Sequence, residues 1–314
     1  MIGMDEIRCG PAMAGPWRSL GYGVQIREDV AHELRATLQA WQLVLPYFTS
    51  FTALTSAAVR GWWLPPLPLG LPLFVASGRS DRVNRPGLDV CRHDVVPPSE
   101  MFEGVRLTTA GETMLALARD LSLLDVVAMG DAALHGGWVT PGELERVARQ
   151  RRRGAPLLRR AIPLMNGRSE SIYESLLRML HVVCDVEVEP QFVLLDETGA
   201  FVARGDLLLV GTTRLAEYDG SDHLNRPRQR RDLRRTGRIE DAGYERRGYT
   251  KEDVLHAAVG VLRDADRALG RPHDPRRIEA WHDLLRDSLF TPQGRHRLMS
   301  RLGLDAENAD EIVR

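Results

Sequence analysis

A chain of 314 residues exceeds what one average globular domain needs, which favours two packed units. Its 43% hydrophobic and 27% charged content excludes wholesale disorder and collagen-like repeats, and 42 basic against 43 acidic side chains leave a formal charge of −1. Three scattered cysteines, Cys9, Cys91 and Cys184, exclude a disulfide framework and fit a reducing, cytoplasmic setting. Residues 1–10 carry Asp5 and Glu6 and lack the basic start and apolar core of a secretory signal. The most apolar stretch, residues 62–76, is broken by Pro65, Pro66, Pro68 and Pro72, so no membrane span of roughly 20 residues is expected.

The pattern along the chain predicts a hairpin over residues 17–27, turned by Gly21 and Gly23, then a helix over 29–45 with Val30, Leu34, Leu38, Trp41 and Leu45 on one face. A helix over 52–62, strands over 71–76 and 88–92, and helices over 109–124, 125–135 and 141–152 follow. Residues 163–168 read as a linker. Beyond it the order becomes α-β-β-β-α-β: a helix over 172–183, strands over 186–195, 201–210 and 214–219, a charged helix over 228–242, and a strand over 244–249. Helices over 252–269 and 275–288 and a helical tail complete the chain. The expected fold class is α+β: a mostly helical N-terminal domain with short strands (1–162), the linker, a second domain (169–270) and a helical C-terminal extension (271–314).

Asp206 lies in an apolar strand-like run, where a carboxylate is costly unless paired or bound to a cation. Glu217 and Asp219 project to one face of the next strand, and pairing would bring Asp206 within about 5 Å of one of them. Such a cluster suits a hard divalent ion, Mg²⁺ or Mn²⁺. The competing reading puts Asp206 at the start of a turn and Glu217 and Asp219 in a loop marked by Asp219-Gly220.

Residues 169–254 carry Ser171-Ile-Tyr-Glu174, Arg204-Gly-Asp206, Glu217-Tyr-Asp219-Gly with His223 after it, an arginine-rich helix, and Gly243-Tyr-Glu-Arg-Arg-Gly-Tyr249. In this it resembles the very-short-patch-repair-endonuclease-like branch of the PD-(D/E)xK nuclease superfamily. The resemblance implies a restriction-endonuclease-like core in which Asp206 and Glu217 hold the metal, Glu174 on the leading helix or Asp219 assists catalysis, and His223 handles protons. Asp219 stands where many members carry lysine, and Lys251, the only lysine, follows the closing strand. From the residues alone, Glu174 also satisfies a capping-box pattern with Ser171, and His223 also reads as a loop histidine.

Arg228, Arg230, Arg231, Arg234 and Arg235 form a strip able to neutralise DNA phosphates, although arginine-rich helices are also ordinary solvated faces. A second basic run covers residues 149–160. The first domain, through residues 17–24, 90–100 and 104–119, resembles actinobacterial AbiEi-like (abortive-infection type IV) antitoxin proteins, in which a winged helix-turn-helix precedes such a region; here that head is expected to be truncated. The resulting expectation is a Mg²⁺-dependent DNA endonuclease-like protein. The alternatives are a non-catalytic DNA-binding regulator or antitoxin with a degenerate nuclease core, and a protein that binds a cognate toxin through its helical middle region, residues 115–134.

Overall fold

The computed structural model describes residues 6–10, 15–21, 23–220, 226–305 and 309–312, of which 226–233 are described in backbone only. It is a mixed α+β structure whose strands form three sheets. In chain order these are β1 (Ile7–Cys9), β2 (Trp17–Gly21), β3 (Val24–Arg27), α1 (Leu34–Gln42), β4 (Ser50–Phe51), α2 (Ala53–Val59), β5 (Leu73–Gly78), β6 (Leu88–His93), β7 (Ser99–Phe102) and β8 (Val105–Thr108). Then come α3 (Ala110–Asp120), α4 (Leu123–His135), α5 (Pro141–Ala148), α6 (Ala155–Ala161), α7 (Ile172–Val183), β9 (Val188–Leu195), β10 (Phe201–Leu209) and β11 (Arg214–Tyr218). The chain ends through α8 (Arg226–Asp241), β12 (Glu245–Tyr249), α9 (Lys251–Leu255), α10 (Ala258–Ala268), α11 (Glu279–Arg286) and α12 (Pro292–Arg301). No helix of the described residues is long and apolar enough to cross a membrane.

Two compact units emerge, and neither is a continuous stretch of chain. The first gathers residues 1–121, 138–160 and 295–314; the second gathers 122–137 and 161–294. The sequence alone suggests domain, linker, domain and extension in series instead.

The first unit holds a three-stranded sheet in the order β1-β3-β2 and a five-stranded sheet in the order β6-β5-β4-β8-β7. Val24, Leu38, Trp41, Phe51, Val75 and Leu107 form its core, all buried. The helix expected over 29–45 covers only Leu34–Gln42, because residues 28–33 turn instead, with Ala31 packed beside Ile26 and Ala36. The helix expected over 109–124 stops at Asp120: Leu121 is extended, and Ser122 starts α4 in a capping box with Asp125. The hairpin β7–β8 and the two-residue β4 were not expected, and α6 forms within the second basic run.

The second unit follows the expected α-β-β-β-α-β order. Its sheet runs β12-β11-β10-β9, antiparallel except for the parallel pair β11–β12. The parallel closure requires a crossover, which α8 supplies. Leu194, Val202, Ala203, Leu215 and Ile239 pack between this sheet and α8. The helix expected over 252–269 is broken at His256–Ala257 into α9 and α10.

Candidate functional site

β10 and β11 pair in the register Leu207↔Ala216, so on the next rung Asp206 faces Glu217. Opposed residues of an antiparallel pair share a face, so both side chains emerge together. Asp206 Oδ2 accepts the backbone N–H of Tyr218 at 2.8 Å, while Oδ1 has no donor among the described residues. Burial, aided by the charges of Glu174 and Glu217, pushes the Asp206 carboxyl up to about 7 against the pull of that N–H and of Arg235. The proton is favoured because the ionised form would add charge to a half-buried acidic cluster.

Glu217 is buried, and its carboxylate is held by two guanidinium groups. Arg235 of α8 forks onto both oxygens, with Nη1 2.8 Å from Oε2 and Nη2 2.6 Å from Oε1. Arg246 of β12 donates through Nε to Oε2 and through Nη2 to Asp219 Oδ1 at 2.5 Å. Arg246 thus puts a cation between Glu217 of β11 and Asp219 just beyond it, although Asp219 occupies the place read as lysine in the resembled family. The register explains how. In the parallel pair, Glu217 lies beside Gly248, and a Cβ on Gly248 would come 1.8 Å from Asp219 Oδ2. Glycine at that rung makes room for the Asp219 carboxylate.

Glu174 sits in the first turn of α7. Ser171 Oγ accepts its N–H at 3.2 Å, but its own carboxylate accepts from the Glu170 N–H at 2.8 Å and from Gln191 Nε2 at 2.9 Å. The capping-box expectation is therefore met on the serine side only. Burial raises the Glu174 carboxyl above its ordinary value. Tyr173, its neighbour, stacks on Tyr218 with ring centroids 4.9 Å apart and planes 12° from parallel. That contact ties the start of α7 to the end of β11.

The structure thus brings together four of the expected acids: Glu174, Asp206 and Glu217, with Asp219 joined through Arg246. His223 lies outside the described residues, as do the side chains of Arg228, Arg230 and Arg231. Arg234 is exposed, whereas Arg235, expected on the phosphate-facing strip, is turned to Glu217 and to the Arg204 carbonyl at 2.6 Å. Sequence reasoning missed Arg246 and Gln191. The alternation of Glu245-Arg-Arg-Gly-Tyr249 along a strand was the available signal for Arg246; Gln191, at φ 52, had none.

Among the described residues no group of three or more His, Cys, Asp and Glu side chains is placed to hold a metal ion. The pair Asp206 and Glu217 still meets a smaller requirement, since Mg²⁺ is content with one or two carboxylates and several waters. Asp206 Oδ1 has no donor among the described residues, and Arg235 Nη2 donates to Glu217 Oε1 while Arg235 Nη1 and Arg246 Nε donate to Oε2. The hard oxygens and the surplus of negative charge around Asp206 fit a divalent cation. Comparison with protein-family models, with curated proteins and with solved structures gave no match.

Proposed function

We propose that the second unit is a DNA endonuclease-like module of the very-short-patch-repair type, with a restriction-endonuclease-like core and with Asp206 and Glu217 holding Mg²⁺ or Mn²⁺. The observation that carries the proposal is the rung on which Asp206 and Glu217 face each other, with Glu174 near enough to act on Asp206. A divalent ion in such a place neutralises phosphodiester charge and lowers the pKa of a water. The chain's own residues supply the rest. Glu174 adds negative charge beside Asp206, Gln191 holds the Glu174 carboxylate in place, and Arg246 offers the cation that a lysine at position 219 would have supplied. His223 would move protons, and Arg228, Arg230, Arg231 and Arg234 would seat the DNA backbone.

A second reading rests on the two guanidinium groups already holding Glu217: a non-catalytic DNA-binding regulator or antitoxin, in which arginine neutralises the cluster and a cognate toxin is the protein partner. Both readings place the protein in the cytoplasm, and its three cysteines are free thiols. Calorimetric titration of Mg²⁺ and Mn²⁺ into wild type and Asp206→Ala, with nicking of supercoiled plasmid on the same samples, separates the two. The nuclease reading expects metal binding and nicking that vanish together in the variant. Wild type that binds neither metal and leaves plasmid intact overturns it, and DNA binding unaffected by Asp206→Ala then supports the regulator.

A further inference from the structure

The first unit carries a concentration of cations that the proposed nuclease chemistry does not use. A cavity of about 920 Å³ is lined by Arg79, Arg92, Arg119, Arg151, Arg152 and Arg153, against two acids, Asp94 and Glu112. An adjoining hollow of about 680 Å³ shares Arg119 and residues 151–153, adds Arg149, Arg159 and Arg301, and has no acid in its lining.

Tracing the partners shows which charges are spent. Arg152 is tied to the buried Glu112 at 2.6 Å, Arg79 to Asp94 at 3.0 Å, and Arg149 to Glu145 at 3.3 Å. Asp120 serves both Arg119 at 2.7 Å and Arg301 at 2.8 Å, with Asp89 3.7 Å from Arg119 as well. Arg92 and Arg159 donate to backbone carbonyls, which carry no compensating charge. Arg151 and Arg153 are exposed and have no hydrogen bond or ion pair among the described residues.

These two arginines are nonetheless held on a fixed turn. Arg152 between them is anchored to Glu112, and Gly154 after them adopts φ +90. A Cβ on Gly154 would come 2.4 Å from the Leu115 carbonyl oxygen and 2.9 Å from the Arg119 nitrogen. Only glycine lets the turn press this closely on α3. In the cavity wall, burial first and then the charges of Arg152 and Arg119 hold the pKa of His93 below its ordinary value, against the pull of Glu112 and Asp94.

We propose that this arginine turn and the two hollows beside it form a second nucleic-acid site, which grips backbone phosphates. Guanidinium forks match phosphate oxygens. The cations run through two joined hollows rather than closing round one pocket, which suits a polyanion better than a single compact ligand. The proposal is independent of hydrolysis in the second unit.

The test is fluorescence anisotropy of a labelled duplex of about 20 base pairs with the full chain in EDTA, from roughly 50 to 200 mM salt. Wild type is compared with the double variant Arg151→Ser/Arg153→Ser, with Arg151→Lys/Arg153→Lys, and with Arg18→Ser as an exposed control in the same unit. The serine variant should bind more weakly whatever the DNA sequence, with a slope of log K against log salt shallower by about 2. The lysine variant should keep the slope, and Arg18→Ser should match wild type. With EDTA present no metal-dependent cleavage takes part in the measurement, so failure of the nuclease reading does not touch this result. Equal affinity and slope for wild type and the serine variant overturn the proposal. So does wild type that binds nucleoside triphosphate but no DNA.

Discussion

Asp125 shows how burial decides a single residue's chemistry. Its carboxylate receives Ser288 Oγ at 2.6 Å, Ser122 Oγ at 2.7 Å and the Leu289 N–H at 3.1 Å. Burial outweighs all these donors and pushes the carboxyl up from 3.8 to about 6. The sign of the linkage follows. Between those pH values the folded chain keeps a proton that the unfolded chain releases, so stability falls as pH rises from about 4 to about 6 and is level above. Asp125→Asn removes that dependence and adds an offset that does not vary with pH. Urea unfolding at steps from pH 4 to 7.5 should therefore show the variant gaining on wild type as pH rises, by about 3 kcal/mol in all. A difference that stays constant across that range would sink the argument. Close by, Asp131 and Arg178 form a buried ion pair at 2.8 Å, with side chains 0% and 6% exposed. Its geometry matters to the whole second unit, because a lone partner would be a buried, uncompensated charge.

At the scale of elements, Gly154 and Gly142 make opposite cases. Gly142 lies inside α5 with nothing within 4 Å of the place an added methyl would take, so Gly142→Ala should be neutral or stabilise by up to about 1 kcal/mol. Gly154→Ala meets backbone atoms and a positive φ, and should cost about 1–3 kcal/mol. Thermal melting of the two variants side by side reads the contrast, and equal melting temperatures would contradict the close approach of the arginine turn to α3. The same contrast explains what the sequence made legible. The elements α7, β9, β10, β11 and β12 lie within about two residues of the expected ranges, because apolar periodicity and the Glu197-Thr-Gly199 turn mark them. The break between α3 and α4 was expected at 124/125, too late in the chain, because Leu121 and Leu124 both fit the helical stripe and only the Ser122 cap reveals the stop. β4 is two residues long, too short to show alternation, and exists through its partners β5 and β8. At the site, Asp206 and Glu217 were legible as acids on neighbouring strands. The hold of Arg235 and Arg246 on Glu217 was not, since it depends on the register of β12 and on which face of α8 turns inward.

On the scale of the whole molecule, the chain crosses between its two units more than once, and this constrains how it can be divided. In the second unit, α4 supplies Asp131 to Arg178 of α7 and Asp125 to the Ser288–Leu289 backbone and hydroxyl. Gly130 and Gly167 allow close contacts with Met165 and Leu134 that a Cβ would prevent. In the first unit, the returning segment bonds Leu69 N–H to the Glu311 carbonyl at 2.8 Å and places Arg301 on Asp120. A fragment of residues 163–294, cut at the apparent linker, would contain every residue of the acidic cluster yet lack Asp131 and Asp125. Arg178 would then be buried without its carboxylate, a loss on the order of 3–5 kcal/mol, a large part of a domain's stability. A fragment of residues 122–294 keeps both contacts. The expected outcome is a cooperative urea transition and dispersed amide resonances for 122–294, and neither for 163–294. If the shorter fragment folds equally well, α4 belongs to the second unit by contact only and not by energetic need, and Asp131→Ala in the full chain would then be tolerated as well.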